Sequence, residues 1–184
     1  GDGVFDETVF YENGVAKRAE SDTNYDGKID LWISYDVAGK AIAHERDTNF
    51  DGKRDQFIQL ENEQPKIQRD DKNGDGEPES VIYYVNGAKS KSEEDASGDG
   101  KIDRWVTYQD GKPARVEEDT SGDGKVDLRA EFGPDGNKTL EVQDTNRDGR
   151  FDVTIRYEGG KKASVEEDTT GDGQPDSITY YRND

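Results

Sequence analysis

Seven times along the chain, at intervals of 24 or 25 residues, an aspartate opens a unit of the form Asp-x-Asn/Ser/Thr-x-Asp-Gly. The units begin at Asp22, Asp47, Asp71, Asp95, Asp119, Asp144 and Asp168. A period of this length constrains the fold strongly, because each repeat is too small to bury a core alone and must stack on its neighbours. The sequence therefore reads as a single repeat array over 1–184, with a partial repeat at 1–21. Gly1-Asp2-Gly3 matches the middle of the unit, and Asp184 falls inside an eighth copy. Both ends are out of phase and there is no Met, which leads us to expect a piece of a longer, processed array.

Positions are numbered from the first Asp of each repeat. After position 9 comes a run rich in β-branched and aromatic residues, as in Leu31-Trp32-Ile33-Ser34-Tyr35 and Arg104-Trp105-Val106-Thr107-Tyr108. Apolar residues at 8, 12 and 14 fit one face of a strand, with position 10 mixed. Asn86-Gly87, Asp110-Gly111, Asp135-Gly136 and Gly159-Gly160 then signal tight hairpin turns. A more charged strand returns, as in Ala114–Glu118. The repeats at Asp22 and Asp119 are one residue longer, and the extra residue is expected at this turn. No segment has a helical period. The expected fold is all-β: an elongated tandem-repeat array of about seven 24–25-residue units, each a loop plus a β-hairpin. A β-solenoid is the alternative. A closed propeller is disfavoured, since a blade takes about four strands.

Such an array needs a stabiliser other than a core. Leu, Ile, Val and Phe make up only 31 of 184 residues, and 44 acidic residues against 25 basic ones give a net charge of −19. That composition by itself reads as disorder. Cys is absent, so disulfides do not supply the missing stability. The negative charge argues against nucleic acid and anionic membranes as partners and for cations. No apolar run approaches a membrane span.

The loop chemistry fits a cation. Position 1 is Asp22, Asp47, Asp71, Asp95, Asp119, Asp144 or Asp168. Position 3 is Asn24, Asn49, Asn73, Ser97, Ser121, Asn146 or Thr170. Position 5 is Asp26, Asp51, Asp75, Asp99, Asp123, Asp148 or Asp172. Gly follows at position 6 in every repeat. Position 7 is Lys28, Lys53, Glu77, Lys101, Lys125, Arg150 or Gln174, whose backbone carbonyl serves whatever the side chain. Position 9 is Asp30, Asp55, Glu79, Asp103, Asp127, Asp152 or Asp176, and the remnant at the start keeps Asp2 and Asp6 at positions 5 and 9. Calcium takes six to eight oxygen ligands from carboxylates, amides, carbonyls and water, and short oxygen side chains at alternate positions let the chain curl round one ion. Magnesium demands a compact octahedron and keeps its waters. Three acids within nine residues repel one another without a cation. Seven Ca²⁺ ions would reduce −19 to −5.

The pattern is similar to the first nine positions of an EF-hand loop, but position 12 holds Ile33, Ile58, Ile82, Val106, Ala130, Ile155 or Thr179 where the EF-hand has a bidentate Glu. It resembles the shorter calcium motifs of dockerins and thrombospondin type 3 repeats, without their helices or cysteines. Tyr83-Tyr84-x-Asn86-Gly87 followed by Lys89 resembles MORN-like hairpin repeats of bacterial proteins. The resemblance implies calcium as cofactor, about seven ions. A carboxylate ahead of each loop is a candidate for the missing ligand: Glu20, Glu45, Asp70, Glu93 or Glu94, Glu117 or Glu118, and Glu166 or Glu167. The alternative is a solvated strand face.

The functional expectation is a calcium-stabilised rod or fibre segment, secreted to the extracellular space or a microbial cell surface. Its partner would be itself, in an end-to-end or lateral polymer. The alternative is a calcium-dependent adhesin or carbohydrate-binding module using Trp32 and Trp105, with glycans as partners. A calcium store is a further reading. An enzyme is disfavoured: the single His44 is expected at the surface, and no second His or Cys accompanies it. Thr23, Thr48, Thr120, Thr145 and Thr169 at position 2 are candidate O-glycosylation sites, and Asn137-Lys138-Thr139 is the one N-glycosylation sequon.

Overall fold

The structure, a computed structural model, describes residues 6–182. The expectations for Gly1-Asp2-Gly3 and Asp184 lie outside the described residues. The fold is all-β, with fifteen strands, each antiparallel to its partners, and no helix among the described residues.

The chain divides into two compact units, Gly1–Lys89 and Ser90–Asp184. The first holds β1 (Glu7–Glu12), β2 (Val15–Ser21), β3 (Leu31–Tyr35), β4 (Ala41–Arg46), β5 (Gln56–Glu61), β6 (Gln64–Asp70) and β7 (Ser80–Val85). Each pairs with its neighbour in sequence. The boundary cuts β8 (Ala88–Glu94) after Lys89. The second unit continues with β9 (Arg104–Gln109), β10 (Lys112–Glu118), β11 (Leu128–Phe132), β12 (Lys138–Gln143), β13 (Val153–Glu158), β14 (Lys161–Glu167) and β15 (Ser177–Tyr180). It follows the same rule. Each unit is an open antiparallel meander of hairpins, so the hairpin array holds. A solenoid of parallel coils does not.

The turns follow their residues. Asn13-Gly14, Asn86-Gly87, Asp110-Gly111 and Gly159-Gly160 have positive φ at both positions, as two-residue turns of type I′ require. Asn62-Glu63 does the same without glycine. The longer repeats carry their extra residue here, in turns closed by Asp36 N–H to the Lys40 carbonyl and Gly133 N–H to the Asn137 carbonyl. Asp135 is therefore not part of a two-residue turn, and it keeps negative φ.

Six hairpins share a feature the alternating pattern did not reveal. The register shifts between positions 13 and 14, leaving one extra residue on the returning strand: Lys17, Ile42, Lys66, Ala114, Thr139 or Ala163. Such a bulge raises the local twist and re-aims the position-14 side chain. It also lets Pro65 and Pro113 sit in returning strands, beside the irregularity where a missing N–H is tolerated.

One lane of directly opposed residues crosses each unit. In the first it runs Ala19, Ile33, His44, Ile58, Gln68, Ile82. In the second it runs Ser92, Val106, Val116, Ala130, Glu141, Ile155, Val165. His44 is thus half-buried between two isoleucines rather than a surface residue. The apolar core is thin. Among the described residues the buried apolar side chains are Ala19, Leu60, Val106, Val116, Ala130 and Ile155, against eight buried loop aspartates: Asp22, Asp30, Asp47, Asp55, Asp71, Asp119, Asp127 and Asp144.

Candidate metal-binding loops

Each loop is built on its own backbone N–H groups. Position 1 accepts through Oδ2 from the N–H of the Gly at position 6, at 2.7–3.0 Å in all seven. Position 5 accepts from the N–H of position 7, at 2.8–2.9 Å in all seven. These bonds curl the segment around the position-1 carboxylate. Position 6 has φ of 86–96° throughout, which explains its invariant Gly.

Position 4 is left-handed as well, with φ of 61–77° at Tyr25, Phe50, Gly74, Gly98, Gly122, Arg147 and Gly171. Its residue depends on position 3. Asn24, Asn49, Asn73 and Asn146 accept the N–H of position 5 through Oδ1 at 2.8–2.9 Å, tying the turn from a side chain. Three of these four loops then place Tyr, Phe or Arg at position 4. Where position 3 is Ser97, Ser121 or Thr170, the hydroxyl turns to the position-1 Asp instead, and position 4 is Gly every time.

Position 9 folds back onto the start of the loop. Asp30, Asp55, Asp103, Asp152 and Asp176 each have both oxygens engaged by N–H or hydroxyl groups of positions 2 and 3. The Thr23, Thr48, Thr120, Thr145 and Thr169 hydroxyls all donate to position 9, at 2.7–3.0 Å. The candidate O-glycosylation residues are thus internal fastenings of the loop, and a glycan on Oγ1 would remove the donor. At the sequon, Asn137 Nδ2 donates to Asp135 at 2.9 Å.

Two loops differ. In one, Glu79 accepts the Lys72 N–H through Oε2, while Oε1 is buried with no hydrogen-bond partner. In the other, Asp127 accepts the Thr120 hydroxyl and the Ser121 N–H through Oδ2, leaving Oδ1 outside these bonds. These loops gather carboxylate oxygens within 4.8 Å of one another, from Asp71, Asp75 and Glu79 and from Asp119, Asp123 and Asp127. Among the described residues, these are the groups of three acids able to hold a metal ion. In the other five loops, which share the sequence pattern, both position-9 oxygens are taken by positions 2 and 3.

The local electrostatics favour ionised carboxylates. Burial pushes Asp119 up, but the Gly124 and Gly122 N–H groups, helped by Ser121 and Asp123, bring it below the usual carboxylate range. Asp95 is lowered by the same balance, with Gly100 and Gly98 as donors. Asp176 is lowered chiefly by the Thr169 hydroxyl and N–H.

Within each unit the loops are linked in a row. The N–H of position 1 donates to the position-9 carbonyl of the loop before, as Asp22 to Asp6, Asp47 to Asp30 and Asp71 to Asp55 at 2.7–2.9 Å. Asp119, Asp144 and Asp168 repeat the contact with Asp103, Asp127 and Asp152 at 2.8 Å. Position-7 side chains also reach forward. A side-chain carbon at Gly74 would lie 3.8 Å from Lys53 Nζ, and one at Gly149 would lie 3.5 Å from Lys125 Nζ.

The carboxylates ahead of the loops, half-buried except for Glu167, are engaged with neighbouring side chains. Glu45 pairs with Arg54, Glu93 with Lys91, Glu94 and Glu118 with Arg104, Glu117 with Arg129, and Glu166 with Arg156. Glu20 pairs with Arg18, Asp70 accepts from Gln56 and Gln68, and Glu167 accepts from Ser177. The Arg54 guanidinium also lies over the Trp32 ring, 4.3 Å from its centre. Arg129 and Phe151 form the same contact with the partners exchanged, at 5.1 Å.

No family model matches the chain, and no curated protein matches it. Among solved structures, it is similar over 61% of its length to the accessory secretory protein 1, 2 and 3 structure of Streptococcus pneumoniae, at 16% identity and a TM-score of 0.27. It is similar over 78% of its length to a S. aureus TarM mutant in complex with Fondaparinux, alpha-GlcNAc-glycerol and UDP, at 11% identity and a TM-score of 0.29. The chain spans 19% and 20% of those chains, respectively.

Proposed function

We propose that the loops bind calcium, up to seven ions at full occupancy, and that the ions stabilise a structural repeat array in an extracellular or cell-surface rod or fibre. The observation that carries this reading is Glu79 Oε1, a buried carboxylate oxygen with no partner, in a group with Asp71 and Asp75. A buried polar atom without a hydrogen-bond partner is unfavourable, and a divalent cation would satisfy it. Positions 1, 3, 5 and 9 and the position-7 carbonyl would hold the ion. It would supply the positive charge that eight buried aspartates, held only by N–H and hydroxyl groups, otherwise lack.

A thin apolar core and a row of linked loops support a scaffold. No catalytic role is part of this proposal. The carbohydrate-binding alternative is weaker at Trp32, whose ring is covered by Arg54.

Circular dichroism and thermal unfolding in 2 mM calcium, then in excess EDTA, test the reading. At free calcium about 1,000-fold above Kd, each site contributes about 4 kcal/mol. The expected outcome is loss of β-structure in EDTA and recovery with calcium but not magnesium. Coincident melting curves would sink the proposal. Electron micrographs at millimolar calcium test the fibre, and compact particles alone would exclude it.

A further inference from the structure

We infer that the loops fill in two classes. Asp71–Glu79 in the first unit and Asp119–Asp127 in the second bind calcium first, and the other five follow at higher concentration. This inference rests on the calcium reading above and adds an order that the sequence pattern lacks.

The distinction lies at position 9. In five loops both position-9 oxygens already accept hydrogen bonds from positions 2 and 3, so turning one toward an ion breaks at least one bond. Losing one net bond separates the classes by about tenfold in affinity. Glu79 Oε1 needs no such exchange, being buried and unpartnered. Asp127 is only 6% exposed, and its Oδ1 accepts none of the bonds that anchor the residue. Only these two loops already group three acids within 4.8 Å among the described residues. The residue types account for the difference at the first of them. Lys72 and Ala96 both lack the position-2 hydroxyl, yet both Asp103 oxygens are engaged by N–H groups, so the one extra methylene of Glu79 is what sets its loop apart.

Calorimetric titration of the whole chain with calcium chloride tests the order. Two sites are expected to saturate before the rest, about tenfold tighter. Glu79→Gln and Asp127→Asn each reduce the tight phase from two sites to one, while Asp55→Asn leaves it at two. Glu79→Asp guards against misfolding of the Gln variant: it keeps the charge, shortens the reach, and also reduces the tight phase to one. A single class of sites, or a tight phase unchanged by all of these substitutions, overturns the order while leaving calcium binding intact. Absence of any binding at millimolar calcium overturns both this inference and the reading beneath it.

Discussion

Replacing Tyr25 by glycine is expected to stabilise the protein. Tyr25 is at position 4 of its loop with φ of 62° and is 68% exposed, so the ring contributes little packing. An L-residue in the left-handed region costs about 1–2 kcal/mol relative to glycine. Glycine gives back about 0.5–1 kcal/mol through the freedom it adds to the unfolded chain. The net gain is centred on about 0.75 kcal/mol, or about 3–6 °C in the melting temperature of a unit the size of Gly1–Lys89. Tyr25→Ala is the control, because it removes the same ring and keeps the strain. Differential scanning calorimetry in saturating calcium should rank Gly above Tyr, with Ala lowest or level with Tyr. If Ala melts at or above Gly, position 4 is not strained, and the explanation for Gly98, Gly122 and Gly171 following Ser or Thr fails with it.

Two further outcomes follow from the lane that crosses the strands. Burial, aided by the nearby Arg46 charge, pushes the His44 imidazole below its ordinary value of 6.5. The folded state then disfavours the proton, so stability is full above the unfolded value and falls as pH drops below about 6.5. Urea midpoints at pH 7.5 and 5.5 should differ for the native chain, and His44→Leu should shrink that difference. Glu141 is 7% exposed between Ala130 and Ile155 and accepts from Lys138, Gln143 and Tyr157. Burial raises its pKa, but the Lys138 and Gln143 hydrogen bonds bring it below the usual range. Glu141→Leu fills the same lane with apolar volume but strands the Lys138, Gln143 and Tyr157 donors, so it should melt below the native chain and above Glu141→Ala. Glu141→Ala leaves a gap and strands the donors, at about 2–3 kcal/mol, and a melt no lower than that of the Leu variant would refute this.

Much of this architecture was legible from spacing alone. The period placed the loops, β-branched runs placed the strands, and Asn-Gly or Asp-Gly placed most turns. The bulge between positions 13 and 14 was not legible, because it is set by the register of two strands. The left-handed position 4 left a signal in Gly74, Gly98, Gly122 and Gly171, but Tyr25, Phe50 and Arg147 obscure it. The loops are alike in sequence but differ in how position 9 is hydrogen-bonded. Seven near-identical motifs suggest seven identical sites, yet the N–H and hydroxyl groups of positions 2 and 3 compete for position 9. At Glu79 the outcome follows the longer reach of the side chain, which a motif of residue types does not show. The acids ahead of the loops suit a metal by residue type, but most of them pair with a nearby arginine or lysine, which residue type alone does not show.

The pairing of every strand with its sequence neighbour has a kinetic consequence. Most β-rich proteins fold in milliseconds to seconds because distant segments must find each other. Here each ladder closes within about one repeat, so the mean sequence separation of contacts, relative to chain length, falls as repeats are added. A longer array lengthens the product without lengthening any search, and ordering can start at any hairpin and spread from it. An all-β protein of this kind is expected to fold at rates more typical of helical bundles, on a timescale of about microseconds to milliseconds.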